Sequence, residues 1–248
     1  MDERQQAADR ERSVVETSLP RQKSAAREWA EAIAVAVVLA LVIRTFVVQA
    51  FKIPSGSMLE TLQIGDHLLV NKMTRGTIVE IPLTRIVLFH VPRLGDPQRG
   101  EVLVFQFPRD TSRDFIKRVI GLPGETVAIR DKRVYINGAL LEEPYVIYRG
   151  GAPAANPPPG ALQIAANPVV ACSTQEGGYI RERDTIGPCR VPEGHLFMMG
   201  DNRDQSEDSR TWGPLPMELI RGKAFVIYWS WDRERFLPRW SRIGRLVR

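Results

Sequence analysis

An uncharged, apolar run near the N-terminus, residues 32–43, constrains what this chain can fold into more than any other feature of the sequence. It consists almost entirely of Ala, Val, Leu and Ile, and after an interruption at Arg44 residues 45–51 are again mostly apolar. Because a terminal arginine can extend its charge to the interface, residues 29–50 are long enough to cross a bilayer about 30 Å thick. We therefore predict one transmembrane helix over residues 29–50.

Basic residues on the N-terminal side of this helix predict its orientation. Arg21, Lys23 and Arg27 flank the run, and such residues favour the cytoplasmic side. We expect the N-terminus in the cytoplasm and most of the chain outside it.

Two alternatives to the transmembrane helix stay open. The run could be a buried core helix, because the uncharged stretch is short. It could also be a cleaved signal peptide, because Val48-Gln49-Ala50 resembles an A-x-A cleavage site. The long, partly acidic segment before the run argues against cleavage.

Composition excludes a mainly disordered chain. The 248 residues are 44% hydrophobic and 25% charged, which is enough to bury a core. The net charge of +5 fits either nucleic acid or an anionic membrane surface. No zinc-finger, RNA-recognition or helix-turn-helix pattern is present, so we predict no nucleic-acid partner. The basic residues are scattered, apart from a C-terminal run of Arg233, Arg235, Arg239, Arg242, Arg245 and Arg248.

Beyond residue 51 the pattern changes to short apolar stretches separated by Gly and Pro. Their length, their β-branched content and their flanking turn residues predict strands. Asn137-Gly138 is typical of a hairpin turn. The predicted fold class is mainly β: the transmembrane helix is followed by an all-β domain of antiparallel sheets with a small inserted subdomain. Predicted strands are residues 67–71, 101–107, 126–129, 133–137, 195–199 and 223–229.

Changes in composition divide the chain into a tail, an anchor, two parts of one β domain and an insertion. The insertion is rich in Gly and Pro and contains Cys172 and Cys189. Their spacing fits no zinc motif. In an oxidising compartment these cysteines could close a disulfide, and the alternative is two free thiols. The predicted segments are the tail 1–28, the anchor 29–50, the first part of the β domain 51–141, the insertion 142–192, and the second part with the basic tail 193–248.

Three segments outside the anchor are candidates for chemistry, and the first is residues 53–58. Its Pro-Ser-Gly-Ser sequence holds Ser57 in a turn, where a hydroxyl is exposed and fixed. Peptide hydrolysis needs a nucleophile, a base and donors for the developing oxyanion. Ser57 is the candidate nucleophile, and its backbone N–H and the Ser55 hydroxyl are candidate oxyanion donors.

The second segment, residues 114–118, contains the candidate base, Lys117. Phe115 and Ile116 precede it, and burial among apolar groups makes an amine lose its proton more easily. Lowering a lysine pKa from about 10.4 to about 8 costs roughly 3 kcal/mol and leaves a neutral amine that can accept the serine proton. The alternative is a surface lysine. His67 and His195 lie in apolar strands, and no histidine is in a recognisable triad motif.

The third segment, residues 200–210, is dense in short polar side chains. Its aspartates mimic a calcium loop only weakly, because the spacing lacks the turn glycine and the closing glutamate. We interpret it as a scaffold in which Ser206 can hold the lysine amine while paired charges lie nearby. The charged candidates are Asp201, Asp208, Arg118 and Arg210.

Together these segments resemble bacterial type I signal peptidases, from Arg44 to about Trp231. The resemblance rests on P-S-G-S-M, R-G-E-V-L-V-F, F-I-K-R-V-I-G-L-P-G-E and G-D-N-R-D-Q-S-E-D-S-R, in that order. It implies a membrane-bound serine endopeptidase that uses a serine–lysine dyad, here Ser57 and Lys117, with no histidine, metal or cofactor. It further implies that the enzyme removes signal peptides from secreted preproteins at A-x-A sites, on the outer face of the bacterial plasma membrane and near the translocation machinery.

The resemblance also implies supporting roles. Ser206 would orient Lys117 with support from Asp208 and Arg210, while Asp201 would pair with Arg118. The implied pockets accept small side chains, because shallow apolar walls would clash with larger ones. The residues implied to line them are Phe51, Ile53, Met58, Leu62, Leu68, Val104 and Ile116.

Three residues depart from the family pattern without touching the implied dyad. Glu60 stands where proline is usual, and Gln205 and Thr211 replace a common asparagine and an aromatic residue. Three other functions stay open: a specialised maturation peptidase with a narrow substrate, an inert membrane-tethered scaffold, and a basic nucleic-acid binder. Both Ser57 and Lys117 are present, which argues against the inert scaffold.

Overall fold

The computed structural model describes residues 25–72, 78–80, 87–90, 95–153, 170–172 and 184–248. The chain forms two compact units, one up to Val42 and the other from Ile43 to Arg248. Most of the predicted tail and much of the predicted insertion, including Pro157–Pro159, lie outside the described residues.

The first unit contains most of helix α1, Ala25–Phe46, whose Ala-rich sequence favours a helix. Its apolar side chains from Ile33 to Ile43 are exposed in the structure. None of the helices in the described ranges is both long and apolar enough to cross a bilayer.

The predicted C-terminal boundary of the anchor, residue 50, is wrong. Helix α1 ends at Phe46, and Val48–Lys52 form a strand that pairs with residues 67–71. The β-branched and aromatic residues of this segment favour a strand once a partner strand is available.

The second unit is mainly β, as predicted. Its fifteen strands in the described residues are β1 Val48–Lys52, β2 Asp66–Asn71, β3 Ile78–Glu80, β4 Val87–His90, β5 Val102–Phe107, β6 Asp110–Gly121, β7 Thr126–Arg130, β8 Arg133–Ile136, β9 Ala139–Leu140, β10 Val170–Ala171, β11 Ile186–Arg190, β12 His195–Met199, β13 Leu215–Pro216, β14 Ile220–Asp232 and β15 Leu237–Pro238. All six predicted strands are confirmed within a few residues. Helix α2, Ser209–Trp212, is a single turn.

Eight of these strands form the main sheet, in the order β1-β2-β14-β5-β6-β12-β13, with β15 added alongside β14. All of its pairs are antiparallel, as predicted. Strand β6 is central, between β5 and β12, and its second half is buried. A polar residue in that half is therefore taken into the interior with its neighbours.

A second sheet has the order β10-β11-β7-β8-β9, antiparallel except for the β10–β11 pair. Asn137 and Gly138 connect β8 to β9 with φ of 52° and 86°, so the predicted hairpin turn is confirmed. A disulfide joins Cys172 to Cys189, which is one of the two alternatives that the sequence left open. Strands β3 and β4 form a separate hairpin.

Successive side chains of β5 point to opposite faces of the main sheet, so apolar residues pack on both faces. Val102 and Val104 pack in one apolar cluster with Ile53 and Leu68, whereas Leu103 and Phe105 pack in another with Trp212.

The segment between β1 and β2, which contains Ser57, is held at its two ends by backbone hydrogen bonds. The Ile53 N–H donates to the Asp66 carbonyl at 2.8 Å, and the Gly65 N–H donates to the Ile53 carbonyl at 3.1 Å.

Candidate active site

The candidate site is centred on a contact between Ser57, in the turn after β1, and Lys117, in β6. Lys117 Nζ lies 2.8 Å from Ser57 Oγ, and the two residues are 6% and 4% exposed. The amine also donates to the Ile116 carbonyl at 3.0 Å. The hydroxyl and the amine are thus close enough to exchange a proton in either direction.

Burial lowers the pKa of Lys117 from 10.5 to about 8. The amine lies 5.4 Å from the centre of the Phe115 ring, and Leu103 is its neighbour on the adjacent strand. The carboxylates of Asp208, Glu207 and Asp201 act in the opposite direction but do not offset the loss of hydration. An appreciable fraction of the amine is therefore neutral near pH 8.

The loop 200–210 approaches the dyad closely at Gly200. A Cβ atom there would lie 2.5 Å from the Ser57 carbonyl oxygen and would also meet the Ser206 side chain. Ser206 is 1% exposed, and its hydroxyl faces the Asp208 carboxylate and helps to lower the pKa of that group. Ser206 does not hydrogen-bond to Lys117 here, so its orienting role stays a prediction.

Asp208 is fully buried and fixes the end of this loop. It caps helix α2 and accepts from the Arg210 side chain at 2.8 and 2.9 Å and from the Gly200 N–H at 3.1 Å. Burial alone would raise the pKa of Asp208, but the Arg210 guanidinium and these hydrogen bonds outweigh it and lower the pKa. The aspartate is therefore ionised and holds Gly200 against Ser206.

A second ion pair joins Arg118 to Asp201. Two parallel hydrogen bonds of 2.8 and 2.7 Å connect them, and both side chains are 1% exposed. Thr61 donates to the same aspartate at 2.6 Å, and the Tyr145 ring lies 3.8 Å from the Arg118 guanidinium carbon. The structure thus joins β6, the 200–210 loop and the segment after Ser57.

The seven predicted pocket residues come together in one apolar cluster. Ile53, Met58, Leu62, Leu68, Val104 and Ile116 are buried members of it, and Phe51 packs against it partly buried. Met58, Leu62 and Leu68 are 0% exposed, so they support the core in this structure. Their role in substrate binding stays a prediction.

The two predicted oxyanion donors differ in their surroundings. Ser55 is exposed, two residues before the nucleophile. The Ser57 N–H has no acceptor in the part of the chain that the structure describes. That N–H is free to bind a developing oxyanion, and the role of both donors stays a prediction.

Sequence reasoning missed Asn202, Glu143, Arg203 and Tyr145. Asn202 donates to the nucleophile turn through both its backbone and its side chain. Glu143 forms a buried bidentate pair with Arg203 across 60 residues of sequence. The density of polar residues in 200–210 indicated that the whole loop belongs to the candidate site, but no local signal connects the loop with Glu143 or Tyr145.

A serine hydroxyl in contact with a buried amine of low pKa supplies the nucleophile and the base that a serine peptidase needs. The model of the signal peptidase family, peptidase S26, matches residues 26–229. This chain belongs to that family.

Bacterial relatives match over most of their length. Signal peptidase I of Pseudomonas aeruginosa is 40% identical over 224 residues, which are 83% of this chain and 74% of that protein. Probable signal peptidase I-2 of Synechocystis is 36% identical over 90% of this chain and 84% of that protein. Signal peptidase I S of Bacillus subtilis is 32% identical over 86% of this chain and 94% of that protein.

Proposed function

We propose that this chain removes N-terminal signal peptides from secreted preproteins, with Ser57 as nucleophile and Lys117 as general base. The observation that carries the proposal is the 2.8 Å contact between the Ser57 hydroxyl and an amine whose pKa is about 8. Membership of the signal peptidase family supplies the substrate class. A lysine at its ordinary pKa would be almost wholly protonated at neutral pH and could not act as a base.

The chemistry follows from this contact. Ser57 Oγ attacks the scissile carbonyl while its proton passes to Lys117 Nζ, and the carbonyl oxygen becomes an oxyanion. The Ser57 N–H and the Ser55 hydroxyl donate to that oxygen. When the intermediate collapses, Lys117 returns the proton to the leaving amine, and Ser57 is left acylated. Water then gives a proton to Lys117 and attacks the ester carbonyl. When this second intermediate collapses, Lys117 returns the proton to Ser57 Oγ, which releases the acid and restores the hydroxyl and the neutral amine.

Substrate selection belongs to the apolar cluster beside the dyad. Ile53, Val104 and Ile116 are almost fully buried there, and Met58 directly follows the nucleophile. Walls made of packed aliphatic side chains accept a methyl group but clash with a larger substituent. We expect cleavage after A-x-A sequences and little cleavage when the residue before the cut is large.

We further propose that residues 29–46 anchor the enzyme in the bacterial plasma membrane, with the N-terminus cytoplasmic and the site outside, near the translocation machinery. The uncharged run and its basic flank support the anchor. The Cys172–Cys189 disulfide fits an oxidising, extracytoplasmic compartment. Resistance to carbonate extraction and digestion of the β domain by external protease in spheroplasts would test both points.

Cleavage of a purified preprotein by the full chain tests the dyad. Ser57→Ala and Lys117→Ala should each reduce processing by at least about a thousandfold, because each removes one member of the proton-transfer pair. Lys223→Ala is the matched control, since this half-exposed lysine pairs with Glu101 instead of Ser57. The proposed mechanism would be contradicted if Lys117→Ala processed the preprotein at the wild-type rate. It would also be contradicted if EDTA abolished processing by the wild-type enzyme.

A further inference from the structure

Asn202 makes two hydrogen bonds to the nucleophile turn. Its backbone N–H donates to the Ser57 carbonyl oxygen at 3.1 Å, and its side-chain Nδ2 donates to the Gly56 carbonyl oxygen at 3.1 Å. Asn202 is 0% exposed. One buried residue therefore binds both peptide groups that flank Ser57.

These two contacts restrict the Ser57 backbone on both sides of its Cα atom. The Gly56 carbonyl and the Ser57 N–H belong to one planar peptide group and point in opposite directions. Fixing the carbonyl on the Asn202 side thus directs the N–H away from it. The second hydrogen bond holds the next peptide group, so the two contacts together restrict both backbone dihedrals of Ser57 and the direction of its Cα–Cβ bond.

We propose that Asn202 is a positioning residue for the oxyanion donor: it aims the Ser57 N–H at the developing negative charge. The inference rests on the proposed function, because it assumes that Ser57 is the nucleophile. The Ser57 N–H has no acceptor in the described ranges, as a preorganised oxyanion donor requires.

The amide orientation of Asn202 follows from its partners. A carbonyl oxygen only accepts, so the atom that faces Gly56 must be the nitrogen. Nδ2 also donates to Gln205 Oε1 at 3.2 Å, which uses the second N–H, and Oδ1 has no partner in the described part of the chain. Asn202 therefore acts through its side chain as a donor, and Gln205 keeps that donor in place.

The backbone of Asn202 is itself held on both sides. The Ile147 N–H donates to the Asp201 carbonyl at 2.9 Å, and the Arg203 N–H donates to the Ile147 carbonyl at 3.1 Å. Asp201 is in addition paired with Arg118. A donor fixed in this way can hold the nucleophile turn without rearrangement during the reaction.

The test compares Asn202→Leu with the wild-type full chain. Leucine is close in shape and removes only the amide, while the backbone hydrogen bond to Ser57 remains. Loss of a whole oxyanion donor costs about 10²–10³ in kcat, so a misaligned one should lower kcat by about 10- to 100-fold. KM should stay within about twofold, and the midpoint of the pH–rate profile should not move, because Lys117 keeps its contacts.

A peptide aldehyde provides a second readout. Ser57 Oγ adds to the aldehyde carbon, its proton passes to Lys117, and the former carbonyl oxygen occupies the oxyanion position. The aldehyde inhibition constant for Asn202→Leu should rise by about the factor by which kcat/KM falls. Affinity for an uncleaved peptide, measured on Ser57→Ala with and without Asn202→Leu, should be unchanged.

Two further variants separate positioning from loss of structure. Asp204→Ala is the matched control, because Asp204 anchors the same loop to Lys132 and the Gly150 N–H without contacting the nucleophile turn. It should lower the melting temperature but leave kcat within about twofold. Gln205→Leu changes an exposed residue that folding does not need, and it should lower kcat about threefold by freeing the Asn202 amide.

Several results would overturn the inference. These are wild-type kcat in folded Asn202→Leu, a shifted pH midpoint, unchanged aldehyde inhibition, or an equal loss of kcat in Asp204→Ala. If Asn202→Leu does not fold, a wild-type kcat in Gln205→Leu would overturn the inference instead. Failure of the proposed function is distinct, because Ser57→Ala would then cleave as fast as the wild type whatever the Asn202 variants do.

Discussion

Lys117 combines a catalytic property with a cost in stability. Its folded-state pKa of about 8 lies below the 10.5 of an exposed lysine. Below pH 8 the folded protein must hold a charged, poorly hydrated amine, which costs about 3 kcal/mol. The cost disappears as pH rises from 8 to 10.5, because the unfolded chain then loses the same proton. The apolar surroundings that make the amine a base are thus also a local source of instability.

The pH dependence of the reaction should follow this amine. We expect kcat/KM on a short peptide to rise about tenfold per pH unit below about 8 and to level off above it, because only neutral Lys117 accepts the Ser57 proton. A pH–rate profile measured where the melting temperature shows a folded protein checks this. A rate that falls as pH rises through 8 would rule out the amine as base.

At the scale of elements, the dyad depends on how closely the 200–210 loop meets the turn at Ser57. Gly200 passes between the Ser57 carbonyl and the Ser206 side chain, where even a methyl group does not fit. Asp208 holds the Gly200 N–H from one side, and the Arg203 side chain donates to the Gly200 carbonyl at 3.2 Å. Asn202 joins this loop to the turn through its hydrogen bonds to the Ser57 and Gly56 carbonyls, so the two cannot separate without breaking buried hydrogen bonds.

Gly200→Ala should lower both activity and stability. The new methyl group would push Ser57 or Ser206 aside, and displacements near 1 Å can lower kcat about 10²-fold, while overpacking costs about 1–3 kcal/mol. Initial rates and thermal unfolding measure the two effects. Gly187→Ala is the matched control, because a Cβ there meets no atom within 4 Å. Wild-type kcat in Gly200→Ala would show that the contact is not restrictive.

For the whole molecule, a buried ion cluster connects the C-terminal basic run with the segment after the nucleophile. Arg242 donates to Asp66 at 2.6 Å and to the Thr61 carbonyl at 2.9 Å, and Ser230 donates to the same aspartate at 2.7 Å. The run is therefore not uniform: Arg242 is buried, whereas Arg245 is exposed.

Arg242→Met should destabilise the folded chain by about 3 kcal/mol, because Asp66 would stay buried with only the 4.0 Å contact to Arg239 as an ion pair. The midpoint of urea unfolding, followed by tryptophan fluorescence, measures this loss. Arg245→Met is the control and should change stability by no more than about 0.5 kcal/mol. Equal midpoints for both variants would contradict a structural role for Arg242.

The sequence by itself determined the features that depend on neighbours along the chain. Short apolar stretches rich in β-branched residues located the strands, and Asn137-Gly138 located a hairpin turn. The pattern around Ser57 and Lys117 singled out two side chains that the fold brings to 2.8 Å. Each signal lies within a few residues, where backbone sterics and side-chain periodicity act directly.

Only the tertiary structure decided which distant residues meet. Helix α1 ends at Phe46 because the next residues find a partner in β2, and Glu143 meets Arg203 across 60 residues. The contacts of Asn202 with the nucleophile turn span 146 residues. Such contacts depend on how strands separated in sequence pack together, and no local pattern of side chains encodes them.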